Sequence, residues 1–381
     1  MKYKIILLIL TGLLLFFSCN RNNRTASFPL PDKPVIDLKY SYLTLDTIIL
    51  DEEGVESSQM GFSGINLYNE YYFVDSRFCW YYTFDLDGKF KKRSLGQGGG
   101  PGETTVGTIA TCCLLPDTGL FLLGHSIDHY IYDKNFNKKT LFFLQGNPNE
   151  GKVSQNWRAY THQYTNLICR YYDNKLYFNI YSEHPEFNYI EHLGNYLNNC
   201  CHIFEVDIAA EKPGKLYAAG LPPVYRKDPY SYVIFSAINY DIDQTGCFYV
   251  SYEADSLIYK YDRQYNPVCS FGLAGKDMNI AYEKITNYPD CRKYFRQEHR
   301  NKGYYHWIEY VDETGLLFRS YQKGSHTSDD GLQIYSDKTL LADLSVPKGF
   351  KIGGYVAPYY YSQAIADIEK ELLIVYRFKL E

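Results

Sequence analysis

The chemistry-bearing residues of this chain are easier to exclude than to assign. It contains no Gly-x-Ser-x-Gly elbow, no His-Glu-x-x-His pair and no Asp-x-Asp-x-Asp-Gly loop. The common signatures of serine hydrolases, zinc peptidases and calcium loops are therefore missing. His125 and His129 are four apart, but they fall between strand-like runs. That spacing puts two imidazoles on one face only in a helix, so no metal site is expected. Nine cysteines follow residue 19: Cys79, Cys112, Cys113, Cys169, Cys200, Cys201, Cys247, Cys269 and Cys291. Their number is odd, none forms Cys-x-x-Cys, and neighbours on a strand point to opposite faces, so they read as packing residues. Neither a carboxylate pair for glycoside hydrolysis nor a Tyr/His pair for proton abstraction stands out. No catalytic residue and no cofactor is expected.

Two short motifs remain. Lys2 and Lys4 precede an apolar run from Ile5 to Phe17, which ends in Phe16-Phe17-Ser18-Cys19. This run of thirteen residues, nearly all apolar, falls short of the roughly 20 that cross a bilayer and suits a signal-peptide core. A small residue before a cysteine at that point reads as a lipoprotein cleavage site. Residues 1–18 are then a signal peptide, Cys19 is lipidated, and 19–39 is a tether. An ordinary secretory signal with an incidental cysteine is the other reading. No acidic residue directly follows Cys19, so the periplasmic side is expected, with outer-membrane display second. The other motif is Gly98-Gly99-Gly100-Pro101-Gly102-Glu103. Its glycines could offer backbone N–H groups to an anion, but no Lys-Ser/Thr follows as in a nucleotide-binding loop. A tight crossover between elements is the expected role.

The frame that must position any site is all-β. Across 381 residues there are 41 Tyr and 22 Phe but 3 Met, and Tyr and Phe favour pleated, half-buried strands. With 39 basic and 44 acidic residues, the net charge is −5. A nucleic-acid partner is not expected without a basic excess. A strand closing on aspartate, followed by a polar turn, recurs at Asp85, Asp133, Asp207, Asp262 and Asp337. Asp87-Gly88 makes the first turn explicit, because it supplies the positive φ that tight hairpins need. Strands expected at 232–240, 246–252, 257–262 and 267–271 give four per repeat, the content of a propeller blade. Residues 359–362 and 372–379, closed by 43–50 from the other end of the chain, complete a sixth. The expected fold is a six-bladed β-propeller over 40–381, with four antiparallel strands per blade and an N-terminal strand closing the last. A pair of β-sandwiches is the alternative.

The glycine-rich run after the first blade resembles the Gly-x-Gly-Pro-Gly-Glu element of TolB-like six-bladed propeller-like lipoproteins of Gram-negative bacteria. Here Gly99 stands where that family often has Arg. The lipoprotein start, the strand pair between Val74-Asp75 and Asp85, and the length fit too. The resemblance covers the whole chain after the signal peptide and implies fold and location rather than an activity.

In such a propeller the between-blade segments share one face. They are expected at 95–107, 145–163, 220–231, 272–304 and 345–357, and they carry bases and aromatics. The expected ligand residues are Trp157, Arg158, Tyr225, Arg226, Arg292, Arg296, Arg300 and Tyr304, forming a basic, aromatic mouth over the channel for an anionic ligand. Plain solvated loops are the competing reading. Residues 279–301 are expected to hold a short helix broken by Pro289, with the three arginines on one face. The leading function is a non-catalytic binding or scaffold protein for a glycan or protein partner, held to a membrane through Cys19. The second is a glycan-active hydrolase or lyase with its site at the channel mouth.

Overall fold

A computed structural model of the chain describes residues 28–50, 56–116, 119–124, 128–143, 160–162, 166–218 and 220–380. Two short strands, β1 (Val35–Ile36) and β2 (Asp46–Ile49), come first. Blade one is β3 (Gly61–Ile65), β4 (Tyr71–Asp75), β5 (Trp80–Phe84) and β6 (Phe90–Leu95). Blade two is β7 (Ile109–Leu115), β8 (Gly119–Gly124), β9 (Asp128–Tyr132) and β10 (Lys138–Phe143). After β11 (Tyr160–His162), blade three is β12 (Cys169–Tyr172), β13 (Lys175–Ser182), β14 (Cys201–Asp207) and β15 (Lys212–Ala218). Blade four is β16 (Ile238–Ile242), β17 (Phe248–Tyr252), β18 (Ile258–Tyr261) and β19 (Pro267–Phe271). Blade five is β20 (Tyr304–Val311), β21 (Leu316–Gln322), β22 (Asp329–Ser336) and β23 (Thr339–Pro347). The last is β24 (Ile352–Val356), β25 (Tyr359–Ser362) and β27 (Leu372–Phe378), with β26 (Ile365–Asp367) on the flank of β27.

β2 pairs antiparallel with β27, so the two ends of the chain share blade six. The innermost strands β3, β7, β12, β16, β20 and β24 each touch the next, and β24 returns to β3. The expected six-bladed propeller, closed by an N-terminal strand, is the observed fold.

The repeat of aspartates has a local cause. Asp85 Oδ1 accepts from the N–H groups of Asp87 and Lys89. Asp133 holds Asn135 and Asn137 in the same way, and Asp262 holds Gln264 and Asn266. Each carboxylate thus satisfies the turn between the third and fourth strands of its blade. Gly88 takes φ +90°, as the Asp-Gly pair predicted.

The aromatic excess has a packing cause. Six apolar clusters fill the six junctions between neighbouring blades. Middle strands such as β17 are buried on both faces, so they read as continuous apolar runs rather than alternating ones.

Local differences from expectation concern boundaries. Residues 232–236 are not part of the first strand of blade four, because α2 (Pro229–Val233) ends there and a turn, with Phe235 N–H donating to Tyr232 O, leads on to β16. A short helix, α1 (Leu193–Asn199), lies in the insertion of blade three. Most of 345–357 is strand, in β23 and β24. The helix α3 runs unbroken from Tyr288 to Asn301. Pro289 opens it instead of breaking it, because a first-turn residue has no N–H partner to lose. Asn287 caps it by accepting from Asp290 N–H.

Residues 28–39 run along the outside of blades four and five. Asp32 N–H donates to Ser270 O at 2.9 Å, and β1 adds a parallel strand beside β23.

Candidate functional site

The inner strands of all six blades line a central cavity of about 1300 Å³. Period-two alternation aims chosen side chains into it: Trp307 and Glu309 from β20, and Asp241 from β16, two residues after Asn239. Arg170 of β12 reaches across blade four to blade five. Its Nε lies 3.0 Å from Asp241 Oδ1, and a terminal guanidinium nitrogen lies 2.7 Å from Glu309 Oε2. The same guanidinium lies over the Trp307 ring, 5.1 Å from its centroid.

Lys351 enters from the start of blade six. Its Nζ is 5.0 Å from the Trp307 ring centre and donates to Asn166 Oδ1 at 2.9 Å. Asn166 in turn donates to Asn239 Oδ1 on blade four and to His306 O on blade five at 3.0 Å. Blades three to six are therefore tied together across the channel by one polar layer, with Trp307 held in it by its N–H to Ile352 O at 2.9 Å.

Burial sets the protonation behaviour of this layer. It raises the Glu309 and Asp241 carboxyls above their ordinary range, and the one charge of Arg170, shared between two acids, pulls them only part of the way back. Burial alone brings Lys351 down to about 8. Among the described residues, the charged residue types that line the cavity are Arg77, Arg170 and Lys351 against Asp241, Glu309 and Asp312, three bases facing three acids. Tyr72, Tyr171 and Tyr310 add aromatic faces to that of Trp307. Among the described residues, no three His, Cys, Asp or Glu side chains are grouped to share a metal ion.

Both carboxylates of the layer are held by hydrogen bonds. Asp241 also accepts from Tyr310 N–H at 2.7 Å and from Ile242 N–H at 2.9 Å. The arrangement is built to position polar groups around an aromatic ring. It can offer hydrogen-bond donors and acceptors to a polar ligand, beside the half-buried rings of Tyr72, Tyr171 and Tyr310.

The residues expected at the mouth are placed elsewhere. None of Tyr225, Arg226, Arg292, Arg296, Arg300 and Tyr304 lines the cavity. Tyr225 is fully buried, its hydroxyl donating to Phe235 O at 2.5 Å, so it offers no ring to a ligand. Arg226 turns back on the chain, donating to Leu221 O at 3.0 Å and to Asn198 Oδ1 at 2.8 Å. Tyr304 packs against Phe235 and His299. Arg292, Arg296 and Arg300 are exposed on α3. Cys19, Trp157, Arg158 and His125 lie outside the described residues. His129 is buried beside the rings of Phe121 and Phe178.

The glycine-rich loop fills itself. Gly100 N–H donates to Glu103 Oε2 at 2.8 Å, and Gly98 and Thr104 exchange backbone bonds with their neighbours across the loop. A Cβ on Gly98 would meet Glu103 Oε2 at 2.1 Å. The chain's own carboxylate thus takes the donor that an anion would need, and the run serves as the crossover from blade one to blade two.

Sequence reasoning passed over Arg170, Asp241, Glu309, Lys351 and Asn166. A signal was present: Arg170, Asp241 and Glu309 are single charges inside aromatic strands, Cys-Arg-Tyr-Tyr, Ile-Asn-Tyr-Asp-Ile and Trp-Ile-Glu-Tyr. A charge within such a run needs a partner or a lumen.

No protein-family model and no curated protein matches this sequence. Solved structures do resemble it in fold. A member of the DUF4221 family from Bacteroides vulgatus superposes with a TM-score of 0.65 at 10% identity, over 92% of this chain and 99% of that one. A protein of Bacteroides fragilis thought to be exported gives a TM-score of 0.53 at 13% identity, over 93% of this chain and 99% of that one.

Proposed function

We propose that this protein is an exported, lipid-anchored binding protein that takes an uncharged glycan into its central channel. The observation that carries the reading is the polar layer itself. It combines three basic with three acidic side chains, the half-buried rings of Tyr72, Tyr171 and Tyr310, and acids already engaged by Arg170 and backbone N–H groups. Sugars are recognised by such mixtures of oriented polar groups and ring faces. A free nucleophile paired with a base, the mark of a hydrolase or lyase site, does not stand out in the layer. This favours binding over the alternative of a glycan-active enzyme.

The anchor rests on the sequence before Cys19 and on the likeness to TolB-like propeller lipoproteins, and the side it faces is proposed to be periplasmic, with the outer-membrane surface second. The B. fragilis protein similar in fold is thought to be exported, which agrees with that placement. Labelling with an alkyne fatty acid tests it: the label appears in the parent chain and is absent from Cys19→Ala.

Binding is tested by calorimetry against neutral and acidic oligosaccharides, with Arg170→Met/Lys351→Met beside the parent. The reading expects a neutral oligosaccharide to bind the parent and to lose binding to the double variant. Binding left intact in the double variant would move the ligand out of the channel. Turnover of the sugar by the parent would replace the binding reading with the enzymatic one.

A further inference from the structure

The arginines of α3 stand apart from the channel, and their surroundings give them a different partner. Arg292, Arg296 and Arg300 are exposed at four-residue intervals on one face of the helix, with Lys293 beside them. Both acids of the helix are engaged. Asp290 bonds to the Asn287 cap, and Glu298 is buried and accepts from Glu283 N–H at 2.8 Å. No ion pair to any of the three arginines is found among the described residues. Like charges four apart on a helix destabilise it, so this stripe works against the fold unless it meets an anion. Of the acids beside the helix, Glu253 meets His299 at 3.3 Å and Glu283 lies against Glu298, while the blade-three insertion with Glu183, Glu186 and Glu191 touches the start of the helix through Tyr189 against Tyr288.

The first described residue lies on the layer that carries this helix. Phe28 packs on Tyr252, ring centres 6.3 Å apart. From Tyr252 one aromatic layer runs through Tyr225, Tyr232, Tyr282 and Phe235 to His299 of α3, each ring within about 6 Å of the next. The segment leading back to Cys19 therefore leaves the propeller from the layer on which α3 rests. Eight residues lie between Cys19 and Phe28, so nine Cα steps give a reach of at most about 30 Å. That segment carries Arg21 and Arg24 and no acid.

We infer that the exposed face of α3 docks on the anionic headgroups of the membrane that holds the anchor. Arginine suits this role, since its planar fork donates two parallel hydrogen bonds to a phosphate diester. Docked in this way, the propeller holds one fixed face to the bilayer instead of swinging on its tether. The orientation rests on the proposed lipidation of Cys19, but the affinity of the face for lipid does not.

The test uses a chain beginning at residue 20, which keeps every described residue and carries no lipid. Its flotation with phosphatidylcholine vesicles is compared with and without phosphatidylglycerol. Binding is expected only with phosphatidylglycerol and should weaken as salt rises. At about fivefold per basic residue, Arg292→Gln/Arg296→Gln/Arg300→Gln should bind about a hundredfold more weakly, while its circular dichroism stays that of the parent. Lys89→Gln/Lys92→Gln/Lys134→Gln, with the same loss of charge on blades one and two, should bind like the parent. Equal binding to both vesicles, or a triple arginine variant that floats like the parent, would overturn the inference. So would capture of the face by soluble polygalacturonate with no preference between vesicles. Failure of fatty-acid labelling in the full chain would instead count against the anchor alone.

Discussion

Lys351 and Asn166 belong to opposite blades, three places apart in a ring of six, and their side chains meet at 2.9 Å across the channel. A contact that spans the lumen is costly to build from an ammonium. Burial depresses its pKa to about 8, so at neutral pH the folded protein carries a charge that it holds poorly. Such a charge does not serve stability, and under the proposed function it serves recognition.

Lys351→Met should therefore stabilise the protein at pH 7 by about 2 kcal/mol, the desolvation cost less one hydrogen bond. The sign with pH follows from the depressed pKa. Between about 8 and the ordinary lysine value the unfolded chain binds the proton and the folded chain does not, so parent stability rises with pH there. The advantage of the variant should shrink from pH 7 to pH 10 in urea unfolding. A variant less stable than the parent at pH 7 would show that the contacts to Asn166 and Trp307 outweigh the cost of burial.

Arg170→Met should act in the opposite direction. It leaves Asp241 and Glu309 buried without their cation, at a cost of about 3–5 kcal/mol above pH 8, where both are ionised in the parent. Both folded-state pKa values are already raised, so the folded protein gains protons before the unfolded chain as pH falls. With Glu309 pushed up to about 8, the penalty should therefore fade as pH falls from 9 to 6. Arg170→Met/Asp241→Asn/Glu309→Gln should recover most of the loss at pH 9. The same denaturation midpoints, measured at both pH values, check all three statements.

Ring closure gives a third prediction. Gly88 holds φ +90°, and a Cβ there would lie 2.4 Å from Ile49 O on the strand that closes blade six. Gly88→Ala should cost about 1–3 kcal/mol and speed amide exchange in residues 46–49. Gly99 has no heavy atom within 4 Å of a Cβ and no positive φ, so Gly99→Ala should be close to neutral.

These residues also show what the sequence made legible. Turn aspartates such as Asp85 and Asp262, and the glycine after Asp87, act through bonds to residues two to four away, so their pattern exposes the blades directly. Arg170, Glu309 and Lys351 act through partners on other blades, and only the closed ring brings those partners within reach. The arginines of α3 were visible as a helical stripe, but their separation from the channel depends on where the helix lies. Tyr225 looked like a surface aromatic because its loop lies between blades; its burial comes from packing against Tyr232 and Tyr252.

The most direct test of the channel as the binding site uses Trp307 as its reporter. With Trp80→Phe and Trp157→Phe, Trp307 is the last of the 3 tryptophans. Its emission is followed while neutral oligosaccharides are titrated, with calorimetry on the same samples. Binding in the channel should give a saturable change in Trp307 emission that tracks the calorimetric binding curve and vanishes in Lys351→Met. Calorimetric binding with no change at Trp307 would contradict it.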